Sequence, residues 1–167
     1  YVGNDFHEND FLYLNQGDGT FHEVIETATR HTSNFTMGTD IDDLNNDGWL
    51  DVLTLDRKPR SELELKNAQG SDPYDIYRFK RSFGYHDQLP RNMLQLNQQP
   101  DHRGILRFSE QGQLAGVEAT DWSWSVLLAD LDNDSWKDLY ITNGIIRRPN
   151  NLDYLNFIAS RYVQDQA

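Results

Sequence analysis

Asp43-Leu44-Asn45-Asn46-Asp47-Gly48-Trp49-Leu50-Asp51 returns as Asp130-Leu131-Asp132-Asn133-Asp134-Ser135-Trp136-Lys137-Asp138, and each copy carries side-chain oxygens at positions 1, 3, 5 and 9. A tight loop can turn alternate oxygens inward, and a hard cation such as Ca²⁺ takes six to eight of them at about 2.3–2.6 Å. Position 7, Trp49 or Trp136, would add its backbone carbonyl. An EF-hand opens in the same way but requires Glu at position 12 and a helix on each side. Position 12 is Thr54 or Ile141, and the following Val52-Leu53-Thr54-Leu55 and Leu139-Tyr140-Ile141-Thr142 favour strands. A simple turn would also use Asn, Asp and Gly, but it does not require four carboxylate or amide groups that repel or compete when clustered.

Strands extend outward from both loops. Residues 36–43 and 51–55 flank the first loop, and 121–129 and 138–142 flank the second. Upstream, Phe11-Leu12-Tyr13-Leu14-Asn15 and Thr20-Phe21-His22-Glu23-Val24-Ile25 read as strands around the glycine turn Gln16-Gly17-Asp18-Gly19. Arg91-Asn92-Met93-Leu94-Gln95-Leu96-Asn97 echoes the first of these down to its final Asn, and 106–110 echoes the second. Residues 26–34 form a connector with room for a helical turn. Between 57 and 89 the strand pattern stops, and eight of the fifteen basic residues lie between Arg57 and Arg91. Asp72-Pro73 supplies an N-cap and first helical position, with Tyr74, Tyr77, Arg78 and Arg81 at helical spacing. This insertion, with Tyr85, is either a contact surface or a solvated flap. A last helix starts near Pro149-Asn150-Asn151-Leu152-Asp153, with Tyr154, Leu155, Phe157, Ile158 and Tyr162 on its face.

The two loops begin 87 residues apart (130 against 43). Removing an insertion of about thirty residues leaves a period near that of a four-stranded propeller blade. The expected fold is therefore all-β: a fragment of a β-propeller built of four-stranded antiparallel blades, plus the partly helical insertion and the C-terminal helix. Residues 1–29 supply the last three strands of one blade, 33–110 a complete blade, and 115–167 the first two strands of the next with the helical segment.

Composition narrows the function. The formal charge of -12, from 27 acidic and 15 basic residues, disfavours nucleic acid. The absence of cysteine excludes disulfides, thiol catalysis and cysteine-based zinc sites. No apolar run is long enough to span a membrane. The start at Tyr1-Val2-Gly3 suggests a piece of a larger parent polypeptide.

The loop pattern, together with Leu-x-x-Asn-x-Gly-Asp-Gly-Thr-Phe around residues 12–21, resembles the FG-GAP/VCBS repeats of integrin-α-like β-propellers. Tyr1 to Asp10, Asp121-Trp122-Ser123-Trp124 and Asn143 to Pro149 are similar to bacterial VCBS-repeat proteins of the ASPIC/UnbV (cartilage-acidic-protein-like) group. The resemblance implies that Ca²⁺ is held by Asp43, Asn45, Asp47 and Asp51, and by Asp130, Asp132, Asp134 and Asp138. Ser135 departs from the glycine of the pattern and would strain a positive-φ position by about a kcal/mol.

Other chemistry has less support. His22-Glu23-Val24-Ile25-Glu26 lacks the second His of a zinc protease and lies on an expected strand. His7, Glu8 and Asp10 could gather as a small metal or acid–base cluster, or stay solvated on their loop. Trp122 and Trp124 alternate, which suits core between blades or a sugar platform. Trp49 and Trp136 are expected to pack over their loops. Asn34-Phe35-Thr36 fits a glycosylation sequon. The expectation is a non-catalytic, calcium-binding propeller module of a secreted, surface or periplasmic protein that binds a protein or glycan. The alternatives are a lyase-like polysaccharide enzyme using Arg78, Arg81 or Arg91, and an accessory component of an outer-membrane assembly.

Overall fold

The computed structural model describes every residue except 7, 69–71, 166 and 167; for 161–164 it describes only the helical backbone. Its centre is a four-stranded antiparallel meander of β4 (Gly38–Asp42), β5 (Asp51–Leu55), β7 (Met93–Asn97) and β8 (Phe108–Glu110), in the order β4-β5-β7-β8. Gly38 pairs with Leu55 and Asp42 with Asp51; Val52 then faces Gln95, and Gln95 faces Glu110. β5 is buried along its whole length, as expected of a central strand made of Val, Leu and Thr.

The core lies between this sheet and a second hairpin, β9 (Ser123–Ala129) with β10 (Asp138–Asn143). Leu53, Leu55 and Leu94 meet Val126 and Leu128 there, with Leu139 and Ile141 at the margin. On the other side, β1 (Tyr13–Asn15) pairs with β2 (Phe21–Glu23), and Val2 bridges to Phe11. Leu12, Ile25 and Ala28, the last two on α1 (Ile25–Ala28), join these strands to Leu106 and Phe108. The expected glycine turn forms, with Gly17 and Gly19 at φ 79° and 89°.

The insertion holds α2 (Glu62–Asn67) and α3 (Tyr74–Ser82). The expected Asp72 cap is not made: Pro73 takes the N-cap position, and Asp72 pairs with Lys80 instead. A two-residue parallel ladder, β3 (Thr32–Ser33) with β6 (Gln88–Leu89), returns the insertion to the connector, a pairing that sequence periodicity did not reveal. Asn151 Oδ1 accepts from Tyr154 N at 3.0 Å and opens α4 (Leu152–Gln164). The expected place of Tyr162 on that helix lies outside the described side chains.

The tryptophan pair does not behave as one buried unit. Trp122 is buried, whereas Trp124 is 48 % exposed and donates from Nε1 to Gly144 O. The register jumps from Thr142↔Ser125 to Asn143↔Ser123, so Trp124 is the extra residue of a bulge, and simple alternation fails there.

Candidate metal centre

Each acidic loop joins the two strands of a hairpin, and the two fold by the same set of hydrogen bonds. Asp43 Oδ1 and Asn45 Oδ1 both accept from Asp47 N at 3.1 Å; Asp130 Oδ1 and Asp132 Oδ1 accept from Asp134 N at 3.0 and 3.2 Å. Asp43 Oδ2 accepts from Gly48 N at 2.8 Å, and Asp130 Oδ2 from Ser135 N at 2.9 Å. Trp49 N and Trp136 N donate to Asp47 and Asp134 at 2.9 and 2.8 Å. Leu44 N and Leu131 N each donate to the closing carboxylate, Asp51 or Asp138, at 3.0 Å. The bonds rely on left-handed backbone at the same places: Asn46 and Gly48 at φ 57° and 87°, Asn133 and Ser135 at 65° and 75°. Ser135 therefore takes the glycine conformation, as its alignment with Gly48 requires.

These bonds fix the carboxylates by their backbone-facing lone pairs and leave others free, since each ionised oxygen has about two. In the second loop, ligand oxygens of Asp130, Asp132 and Asp138 lie within 4.8 Å of one another. Oxygens at about 2.4 Å from a shared cation lie at most about 4.8 Å apart, so this set fits an oxygen-loving divalent ion. In the first loop Asn45 stands in place of Asp132, and its Nδ2 donates to Asp47 Oδ2 at 3.1 Å. The expected ligands Asp43, Asn45, Asp47 and Asp51 thus share one loop, as do Asp130, Asp132, Asp134 and Asp138. Trp49 and Trp136 are 38 % and 55 % exposed, so neither ring is buried over its loop.

The closing residues differ in support. Asp51 is fully buried, and its Oδ1 accepts from Asn97 N at 2.8 Å, while Asn97 Nδ2 donates to Leu50 O at 3.2 Å. Asp138 is exposed on β10, which has no outer neighbour among the described residues. Sequence reasoning left Asn97 without a role. Its signal was the repeated terminal Asn: Asn15 Oδ1 caps Gly17 N at 2.8 Å as Asn97 Oδ1 caps Gln99 N at 3.0 Å.

The other acidic and histidine candidates are structural or solvent-facing. Asp10 is fully buried rather than solvated, accepting from Tyr1 Oη at 2.7 Å, Thr36 Oγ1 at 2.9 Å and Asn4 N at 2.8 Å. Burial pushes its carboxyl above the ordinary range despite those donors. Glu8 is exposed, and His7 lies outside the described residues. His22 is exposed on β2 as expected. Asn34 of the sequon is buried, so the acceptor amide is shielded in this conformation.

Among the described residues no helix is long and apolar enough to cross a membrane. Comparison with curated proteins and with solved structures returned no match. Residues 1–54, which run from the first bridged strands through the Asp43–Asp51 loop into β5, match the model of the FG-GAP-like repeat family, and over that stretch the chain is similar to that repeat.

Proposed function

We propose that the chain is a calcium-stabilised, non-catalytic binding module built of β-propeller blades and carried by a secreted or surface-exposed protein. The blades would comprise residues 1–29, 33–110 and 115–167, with the four-stranded meander as the complete one. The observation that carries the calcium assignment is the shared bonding of the two loops, which holds the same oxygens in the same register 87 residues apart. Asp43, Asn45, Asp47, Asp51 and the Trp49 carbonyl would hold one ion; Asp130, Asp132, Asp134, Asp138 and the Trp136 carbonyl would hold the second. Ca²⁺ would supply charge neutralisation to loops that otherwise gather like charges. The residues tie the two strands of each hairpin together, leaving neighbouring loops rigid enough to present a protein or glycan ligand. The match to the FG-GAP-like repeat supports the propeller reading. The narrower likeness to the ASPIC/UnbV group rests on the sequence stretches quoted above.

Thermal unfolding with calcium and with EDTA tests this. At about 2–20 times the Kd of extracellular modules, each bound ion stabilises by about 0.6–1.8 kcal/mol, which raises Tm by about 1–7 °C per site in a domain of this size. An unchanged Tm between about 2 mM calcium, a level that fills extracellular modules, and EDTA overturns the assignment. The lyase-like alternative gains no support from Arg81 or Arg91, each of which is paired with a carboxylate. Arg81 pairs with Asp87 at 3.2 Å and Arg91 with Glu110 at 2.9 Å; Arg91 also precedes β7, whose far end meets Asp51.

A further inference from the structure

Lys137 is the only basic residue within the two acidic loops. Residues 43–51 carry three carboxylates and no cation, whereas 130–138 carry four carboxylates and Lys137. Its Nζ reaches out of its own loop to Asp42 Oδ2 at 2.9 Å, on the strand that enters the first loop. The other oxygen of Asp42 accepts from Asp43 N at 2.8 Å, so the lysine is anchored one residue before the first expected ligand. Asp42 holds the ammonium in its charged form, first by hydrogen bond and then by charge, and Asp130 and Asp43 add to this from either loop.

This pair lies outside the repeated framework. At the matching places 87 residues away, Leu50 stands for Lys137 and Ala129 for Asp42, so neither partner of a reciprocal bridge is present. The two loops share their hydrogen bonds; the ion pair is an addition set between them. The side chains of Lys137 and Asp42 are 32 % and 31 % exposed, and a pair so wet contributes little as a structural tie. Its effect on the local charge is larger. Seven carboxylates gathered in two neighbouring loops repel one another without a bound cation, and one anchored ammonium offsets part of that repulsion. The same ammonium opposes a divalent cation entering either loop.

We infer that Lys137 is a resident counter-ion shared by both loops, which steadies the calcium-free chain and holds the calcium affinity of the loops below what their carboxylates alone would give. The inference rests on the calcium reading above and adds a threshold to it. The loops fill only where calcium is plentiful, near the Kd range of extracellular modules, about 10⁻⁴–10⁻³ M.

Calorimetric titration of calcium chloride into the EDTA-stripped chain at low and high salt, with Tm measured in EDTA, tests it. Lys137→Met removes the charge and keeps the stem. It should bind calcium about two- to fivefold more tightly at low salt, the effect of one unit charge several ångströms from a divalent ion, and the gain should shrink as salt is added. Its Tm in EDTA should fall by about 1–3 °C. Asp42→Asn breaks the same pair and keeps an acceptor for Asp43 N, but it removes a negative charge, so it should bind about two- to fivefold more weakly. Lys137→Arg should behave as wild type. A purely structural tie would move both pair-breaking variants the same way. Unchanged or weaker calcium binding by folded Lys137→Met, a Tm in EDTA that does not fall, or a shift of both variants in one direction overturns the inference. A wild-type chain that takes up no calcium overturns the calcium reading itself, and this inference with it.

Discussion

Asn46 Nδ2 donates to the carbonyl oxygen of Ser135 at 3.0 Å, so the tips of the two acidic loops touch directly. Lys137 Nζ also reaches Asp42 Oδ2 at 2.9 Å. Two adjacent hairpins are thereby stitched at their loop ends as well as through their core. A double-mutant cycle on Asp42 and Lys137 should give a small favourable coupling that shrinks with added salt, as for other exposed pairs. Asn46→Ala should cost about 0.5–1 kcal/mol by urea unfolding, near the lower end for a net hydrogen bond because the site is wet.

Ser135→Gly should stabilise the second loop by about 0.5–1 kcal/mol, since φ 75° burdens a side chain that the glycine at position 48 avoids. The reciprocal Gly48→Ser should cost a similar amount. Calcium titrations followed by tryptophan fluorescence should show Ser135→Gly binding more tightly; unchanged stability would show that the Ser135 backbone is not strained.

Asp51 and Asp47 should separate structural from cation-linked loss. Asp51→Ala leaves Leu44 N and the buried Asn97 N without their acceptor, a loss of about 2–4 kcal/mol already in EDTA, to which calcium adds the cation-linked share. Asp47 is exposed, so Asp47→Ala should lower Tm chiefly in calcium. Equal losses for both variants in EDTA would contradict the division.

Stability against pH should show two opposing contributions. Burial raises the Asp10 carboxyl above its ordinary 3.8, so the native state holds that proton where the unfolded chain has released it. Its contribution is fullest below 3.8 and falls as pH rises through the folded pKa. Glu110 is the reverse. Burial acts to raise it, but His31, the Gly112 amide and Arg91 outweigh burial and leave it below 4.5. Its contribution is present above that value and is lost as pH falls through the folded pKa. Urea titrations should therefore show Asp10→Asn removing a decline on going from acid to neutral pH, and Glu110→Gln removing a rise.

The strands around the loops were legible because β-branched and aromatic residues follow each Asp-rich turn, and β5 spans 51–55 as its pattern suggests. β4 and β8 are shorter than their patterns, 38–42 against 36–43 and 108–110 against 106–110, although one backbone bond continues beyond each, Met37 N to Leu55 O and Gln98 N to Arg107 O, both at 2.9 Å. The β3–β6 ladder was invisible: two residues on each side carry no periodicity, and only tertiary closure brings 32–33 beside 88–89. Oxygen spacing in the loops was readable, since it is local. The surroundings of Asp56, whose N donates to Asn92 Oδ1, and of Arg57, whose guanidinium lies over Phe35 and Trp122, were not, because those partners come from distant parts of the chain.

Gly38 controls how closely the second hairpin approaches the central sheet. A Cβ added there would lie 2.7 Å from Trp124 O and 3.2 Å from Ser125 Cα, both backbone atoms that cannot swing aside. The same approach lets Asp40 Oδ2 accept from Leu128 N at 2.8 Å and seats Val126 and Leu128 on Leu53 and Leu55. Gly38→Ala should therefore push β9 outward and cost about 1–3 kcal/mol, the usual range for overpacking. The loss should fall on one side of the molecule. Hydrogen exchange should quicken at Leu128 N and along β9–β10, while the Val52–Gln95 and Gln95–Glu110 ladders stay protected. Uniform acceleration through all four strands would show instead that the hairpin and the sheet unfold as one unit.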